Sequence, residues 1–430
     1  MNLEIVTISL VVNLMILIKY NYSCIKQQVL LLLTFIIGLT FVGQLDTLLP
    51  LYFLSSFILI IRRLRNLSKI TLRISIYFAI YLFYGVLVQD TVAAIIAFIA
   101  KYWQFIVFFL VYNITIKSKE NISINLIYLS LLMETLLGIY LLFTGQMIDP
   151  NGLVRLVSNS QPITGNLAIA ILPISAYLFF SDDTSYAIKR KILMVNLVFL
   201  VWIVLSGTRG YLLIYLLTMP VFFLDYLKFK INNFKSLTKG IMLFTFSFAM
   251  ITLALLVLVP DIVDKVDSIL RLSASVGIRT YENALSVQFF QNTSIFVQIF
   301  GIGLGGNAGD YPEYLIALNK QLVLGMWHSS KYMYDSGVLF HNLYANILIT
   351  LGIFGIIAIT IISIYIFIIV KQSCYNNNSL RYVLSLYLIG FLMMNYYRWS
   401  ADCGIGEMII LALVLKKINQ DKGKKEEEYF

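Results

Sequence analysis

One stretch of sequence decides the fold class: residues 342–370, NLYANILITLGIFGIIAITIISIYIFIIV, contain no charged side chain. A helix of about 20 apolar residues is long enough to cross the hydrocarbon core of a bilayer. The whole chain has this character, because 60% of its 430 residues are hydrophobic and only 13% are charged. Since a water-soluble domain of this composition could not cover its core with polar surface, a cytosolic enzyme is excluded.

Similar apolar segments recur along the chain and predict an all-α polytopic membrane protein with about 12–14 transmembrane helices. Residues 1–20 lack a basic start and a small-residue cleavage site, so we expect a first span there rather than a signal peptide. The predicted spans are 3–18, 27–44, 48–61, 74–89, 92–114, 123–144, 163–180, 192–205, 210–224, 241–259, 342–370, 382–396 and 404–415.

Basic residues fall in short clusters between the apolar segments, at every second connection. The excess of 32 basic over 22 acidic residues therefore indicates cytoplasmic loops and not a nucleic-acid partner. We expect a multi-pass protein of the cytoplasmic (inner) membrane. The clusters lie at 19–26, 62–73, 117–119, 189–191, 228–239, 371–381 and 416–425.

Loop length divides the chain into four parts. Residues 1–259 are expected to form the first ten membrane helices and 341–415 the C-terminal ones, followed by a charged cytoplasmic tail at 416–430. Between these two sets of membrane helices, residues 260–340 form a large extracytoplasmic loop with short amphipathic helices. Because the long loops face outward and the cytoplasmic loops are short, we expect the chemistry at the extracytoplasmic face.

Arg209 is an exception to the inward placement of basic residues. It lies in SGTRG, residues 206–210, a tight turn between two predicted spans on the outer side. An arginine costs roughly 2.5–3.5 kcal/mol at the bilayer midplane and less near the interface. One explanation is a side chain that snorkels to the outer head groups. The other is an anion site, in which the guanidinium pairs two phosphate oxygens and Ser206 and Thr208 add hydroxyl donors.

Arg279 is a second outward arginine, and it precedes apolar residues at helical spacing. Arg279, Asn283 and Ser286 then share one face of the predicted helix. The alternative to an anion site is an i, i+3 ion pair between Arg279 and Glu282. Further outward arginines, each with a structural and a binding interpretation, are Arg155 and Arg271.

The two histidines of the chain both lie in predicted outer segments. His341 stands where the long loop returns to the membrane. A histidine there either caps a helix or accepts a proton from a sugar hydroxyl near neutral pH. His328 has no such positional argument.

The run FGIGLGG at 300–306 invites a nucleotide-binding interpretation. No strand–helix–strand unit surrounds it, so a flexible turn is favoured over a phosphate-binding backbone nest. The outer segments contain no D-x-D, H-E-x-x-H or Cys/His cluster, and therefore neither a metal nor a cofactor is indicated.

Three motifs together resemble the O-antigen ligase and O-antigen or capsular polysaccharide polymerase family. They stand in the family's order, with the long outer loop at the family's position. The motifs are SGTRG at 206–210, similar to the S-x-S/T-R-G turn; Arg279 with FGIGLG at 300–305, similar to the R…(F)GxGxG loop; and HN at 341–342 with LGIFG at 351–355, similar to the H-N-x-x-L…G-x-x-G return helix.

The resemblance implies a metal-independent glycosyltransferase that moves a glycan from undecaprenyl pyrophosphate to an acceptor sugar hydroxyl on the outer leaflet. Arg209 and Arg279 would grip the pyrophosphate, where fixed charges stabilise the departing group better than water does. His341 would help to activate the acceptor. The bilayer and a chain-length regulator protein are the expected partners. The expected substrate-binding residues are Arg155, Ser206, Thr208, Arg271, Asn283 and Asn342.

Three activities remain open. A polymerase would use another lipid-linked repeat unit as acceptor, and a ligase would use a lipid A–core sugar. The single histidine before Asn342, where ligases often show two, favours the polymerase, as does the Ile- and Tyr-rich outer loop. Tyr281-Glu282 departs from the family's pattern, in which the aromatic residue stands slightly later in the sequence. A lipid-linked oligosaccharide flippase would need intramembrane charges, for which Lys101 and Glu134 are the candidates.

Overall fold

A computed structural model describes residues 69–88, 108–109, 111–113, 122, 124–143, 157–158, 161–162, 166–206, 209–230, 283, 286–303, 343–395 and 402–428. About 90% of these residues are helical. Residues 286–292 form one short helical segment. The longer elements and the short α6 are α1 (Lys69–Val88), α2 (Asn125–Phe143), α3 (Asn166–Phe180), α4 (Tyr186–Ser206), α5 (Arg209–Lys230), α6 (Ile295–Phe300), α7 (Leu343–Ser373), α8 (Asn378–Asn395) and α9 (Asp402–Glu428).

Apart from α6, each of these helices coincides with a predicted span, so their helical structure is confirmed. Two contain stretches long and apolar enough to cross a membrane, Gly210–Leu227 in α5 and Ile347–Ser373 in α7. Several run past the predicted ends, because charged residues that favour helix follow the apolar run. The predicted spans outside the described residues are 3–18, 27–44, 48–61, 241–259 and most of 92–114.

The expectation of an all-α fold needs one small correction. Between α2 and α3, Val157–Ser158 (β1) pairs antiparallel with Gln161–Pro162 (β2), and Val157 lies opposite Pro162. A ladder of this length is too short to be stable alone. It shapes a connection between helices and does not change the fold class.

The core is built around α3. This helix contacts α2, α4, α5, α8 and α9, and its residues 167–176 are all buried. A helix that is hydrophobic on every side can be enclosed on every side. The sequence of α3, NLAIAILPISAYLFF, has this composition, which explains its central position.

One end of the bundle carries the basic residues, and we call it the basic end. There the Asn377 amide donates to the carbonyl of Phe180 (2.8 Å), and the Ser379 hydroxyl to Asp225 Oδ1 (3.0 Å). Asn377 also caps α8 by accepting from the backbone N–H of Leu380 (2.9 Å). The arrangement agrees with the predicted alternation of basic clusters. Basic residues on helices that meet there are Lys189, Arg190, Lys191, Lys371 and Arg381.

The C-terminal helix continues through the predicted boundary at 415/416. α9 runs to Glu428, and Lys417 in its second half is buried against the bundle. Its Nζ lies 3.0 Å from Asp421 Oδ1, and the Tyr177 hydroxyl of α3 donates to Asp421 Oδ2 at 2.6 Å. The first residues of the predicted tail are therefore part of the packed bundle.

Candidate functional site

The SGTRG motif lies at the junction of two helices. Ser206 is the last residue of α4 and Arg209 the first of α5, while Thr208 lies outside the described residues. A helix N-terminus carries partial positive charge and favours anions. The backbone at the start of α5 is thus compatible with the negatively charged ligand predicted for Arg209.

The start of α5 packs tightly against the last turns of α8. A side chain at Gly210 would overlap Met394, and one at Gly390 would overlap Ile214. α5 and α8 make the most extensive helix–helix contact among the described elements. The two glycines let the helices approach this closely.

The start of α7 lies beside the same turns of α8. The hydroxyl of Tyr344, in the first turn of α7, donates to the carbonyl of Leu392 at 2.8 Å. His341 and Asn342 lie outside the described residues and precede Leu343 directly in the sequence. The helix beginning at Arg209 and the helix that follows His341-Asn342 therefore both start at the C-terminal end of α8. We call this end of the bundle the Arg209 end.

The glycine-rich motif docks onto a break in α7. Gly352 has φ 63° and ψ −158°, a conformation outside the helical region, so the helical hydrogen bonding of α7 is interrupted there. The backbone N–H of Ile302 donates to the carbonyl of Ile349, and that of Gly303 to the carbonyl of Thr350, both at 2.9 Å. Carbonyls freed in apolar surroundings need such partners, because leaving them unsatisfied is costly.

Glycine is required at both sides of this contact. Gly301 ends α6 with φ 74°, and a Cβ there would overlap the backbone of Thr350. A Cβ at Gly352 would lie 2.5 Å from the carbonyl oxygen of Ile299. Both backbones occupy a region that is essentially reserved for glycine. Two of the three motif segments, which the second half of the long loop separates in sequence, are in direct backbone contact.

The interpretation of 300–306 as a flexible turn or a phosphate nest is wrong for residues 301–303. These residues are buried, and the N–H groups of Ile302 and Gly303 are used by the carbonyls of α7. This pairing could not be predicted from the local sequence, since the acceptors lie 47 residues away. The run serves as the C-terminal cap of α6 and as a docking segment.

Aromatic side chains and α1 reinforce the docked segment. The Tyr84 hydroxyl donates to the carbonyl of Gly301 (3.3 Å), and the Tyr77 hydroxyl to that of Phe354 (3.2 Å). The Phe300 ring lies 5.5 Å from Phe354 and 4.9 Å from Phe296 between centroids. α1, α6 and α7 thus form one contact region around the break.

The predicted polar face of the Arg279 helix is only partly formed by the described residues. Asn283 is half-buried, and its carbonyl accepts a hydrogen bond from the Ser286 hydroxyl (2.8 Å). Ser286 is buried, and its hydroxyl is used by the Asn283 carbonyl. Site residues that lie outside the described residues are Arg155, Thr208, Arg271, Arg279, His341 and Asn342.

Two carboxylates are buried in the described helices. Glu134 of α2, which the sequence singled out, is 1% exposed, and Glu407 of α9, which it did not, is 2% exposed. Glu134 interacts electrostatically with Tyr215 of α5. Within the described part of the chain, no three His, Cys, Asp or Glu residues are grouped so as to hold a metal ion.

Comparison of the sequence with models of known protein families and with curated proteins gives no match.

Proposed function

We propose that the chain is a polysaccharide polymerase of the O-antigen or capsule type. It would be a multi-pass protein of the cytoplasmic membrane with about 12–14 spans. In this assignment the Arg209 end faces the extracytoplasmic side and the basic end faces the cytoplasm. The enzyme transfers the glycan of one undecaprenyl-pyrophosphate-linked unit onto another lipid-linked repeat unit.

The observation that supports this proposal is the meeting of motif segments at one end of the bundle. α5 begins at Arg209 beside Met394, and α7 begins beside Leu392, only one residue after Asn342 in the sequence. The FGIG segment docks on α7 at Ile349 and Thr350. Motifs of one active site have to lie close together: the helices that follow the first and third motifs start beside the same turns of α8, and the second motif contacts α7.

The proposed chemistry is a displacement at the anomeric carbon. The acceptor hydroxyl oxygen forms a bond to this carbon while the bond to the pyrophosphate oxygen breaks, and the electron pair leaves with undecaprenyl pyrophosphate. His341 accepts the proton of the hydroxyl. Arg209 and Arg279 hold the departing diphosphate, and these contacts accelerate the reaction only if they are stronger in the transition state than in the ground state.

Reconstitution tests the activity directly. The purified chain in liposomes receives lipid-linked repeat units without nucleotide sugar and without metal. Longer lipid-linked glycans are the expected product. A product that forms only after addition of lipid A–core would identify a ligase, and movement of lipid-linked glycan across the bilayer without elongation would identify a flippase.

Substitutions test the proposed roles of the arginines. Arg209→Ala and Arg279→Ala should each abolish elongation at normal expression, and Arg→Lys should also impair it, because an ammonium lacks the two-pronged geometry. Arg190→Ala at the basic end is the control and should retain activity. Full activity of both Arg209→Ala and Arg279→Ala would show that these arginines are only anchors.

A further inference from the structure

A cluster of buried, hydrogen-bonded polar groups lies where α3, α4 and α5 meet. Its centre is the hydroxyl of Tyr215, which lies 3.2 Å from Asn196 Oδ1 and 3.2 Å from the carbonyl oxygen of Ala168. Tyr215, Asn196 and Ala168 are 0% exposed. One hydroxyl therefore links three helices, α3, α4 and α5.

A second hydrogen bond of Asn196 determines which atom of its amide faces Tyr215. Its Nδ2 donates to the carbonyl of Ile192 one turn earlier in α4, at 2.9 Å. This bond orients the amide so that Oδ1 is the acceptor presented to Tyr215. The single proton of the tyrosine hydroxyl is then shared between Asn196 Oδ1 and the Ala168 carbonyl in the first turn of α3.

The cluster lies directly below the start of α5. Tyr215 follows Arg209 by six residues, which is a rise of about 9 Å along a helix. On the other side of α5, Gly210 and Ile214 contact Met394 and Gly390 of α8. The first two turns of α5 are thus held from one side by close packing and from the other by hydrogen bonds.

We propose that Tyr215 and Asn196 are positioning residues that fix the first turns of α5 and thereby the location of Arg209. The inference rests on the proposed function for its catalytic part and on the described contacts for its structural part. A guanidinium can pair two phosphate oxygens only in a defined orientation. Since a displacement of about 1 Å can cost up to roughly 10²-fold in rate, a loosened helix start lowers turnover.

Two matched variants of α5 separate positioning from the loss of any buried hydroxyl. Tyr215→Phe removes the hydroxyl that links helices, and Thr218→Val removes one that donates only to Ile214 of its own helix, at 2.8 Å. Both residues are 0% exposed. We expect Tyr215→Phe to lower kcat for elongation by roughly tenfold at unchanged KM, and Thr218→Val to change kcat by less than about twofold.

A double substitution tests whether Tyr215 acts through Arg209. Arg209→Lys retains the charge but not the two-pronged geometry. The rate should therefore depend less on the exact position of residue 209 in this background. Tyr215→Phe should then cause little further loss when it is added to Arg209→Lys. An equal fold loss in the two backgrounds would overturn the inference, because it would show that the residues act independently.

Hydrogen exchange tests the structural part without reference to activity. In the full-length protein in lipid nanodiscs, amides of residues 209–214 should exchange roughly tenfold faster in Tyr215→Phe than in the parent, and Thr218→Val should not show this change. Equal exchange in the two variants would overturn the inference. If the parent does not elongate glycans, the proposed function fails, and the exchange experiment still decides whether Tyr215 fixes the start of α5.

Discussion

Two contacts near the Arg209 end both depend on glycine, but in different ways. Between α5 and α8, Gly210 and Gly390 lie in continuous helices and make room for the side chains of Met394 and Ile214. Between α6 and α7, Gly301 and Gly352 have positive φ and make room for backbone. A side chain can move aside, and a hydrogen-bonded backbone cannot. The first contact sets the distance between two helices, whereas the second determines whether α6 can dock on the break in α7.

Gly352→Ala is expected to have the largest effect on folding. The substitution strains the backbone and forces the carbonyls of Gln298 and Ile299 away, which should lower the free energy of unfolding by roughly 2–5 kcal/mol. Thermal unfolding followed by fluorescence-detected size exclusion measures the change. A variant as stable as the parent would show that the break in α7 is not needed.

Gly210→Ala should have a smaller effect, of about 1–3 kcal/mol, because only the flexible Met394 side chain has to move. The double variant Gly210→Ala/Met394→Ala tests this explanation through a thermodynamic cycle. We expect the double variant to be more stable than the sum of the two single effects predicts. Strict additivity would place the cause of the destabilisation elsewhere.

Tyr84→Phe removes one hydrogen bond to the carbonyl of Gly301 and leaves the ring in place. A loss of about 0.6 kcal/mol is expected, which is the average for interhelical hydrogen bonds in membranes. The same measurement on Tyr77→Phe, which removes the bond to the Phe354 carbonyl, provides the comparison. An effect of several kcal/mol at Tyr84 would mean that the docked segment depends on α1 more than on the glycines.

The alkylation rate of Cys374 tests whether a substitution at Gly352 disturbs only the break in α7 or the whole helix. Cys374 lies just past the end of α7, is 2% exposed, and burial raises the pKa of its thiol to about 12, although the nearby Arg381 acts in the opposite direction. Only the thiolate reacts with iodoacetamide, so alkylation at pH 8 should be slow. As the pH is raised towards the pKa, the rate should increase up to about tenfold for each pH unit. Gly352→Ala should leave the rate of Cys374 alkylation unchanged, whereas faster alkylation would indicate that the whole helix opens.

The sequence predicted the helices better than their contacts. Hydropathy placed α7 at 342–370, close to the observed Leu343–Ser373, because apolar length is a property of the segment itself. The break at Gly352 could not be predicted in this way, since φ depends on the carbonyls of Gln298 and Ile299 across the contact. The cluster around Tyr215 was missed for the same reason: its partners Asn196 and Ala168 lie on other helices.

The candidate site shows the same division. Arg209 was singled out because a charge between two apolar runs is unusual, and such an exception is visible in one segment alone. Glu407 was overlooked although it lies in a predicted span. The positions of Met394 and Leu392 beside the starts of α5 and α7 are properties of helix packing, which one sequence does not encode in a readable local pattern.

The continuous C-terminal helix has a practical consequence for imaging the protein. Residues 416–428 extend α9 by about 20 Å. Because Asp421 is tied to Tyr177, and Asn419 to Tyr112, this extension is anchored to the bundle as far as Asp421. A rigid helical fusion joined in register at Glu428 would tumble together with the protein. It would supply the asymmetric mass outside the detergent micelle that particle alignment by electron microscopy requires.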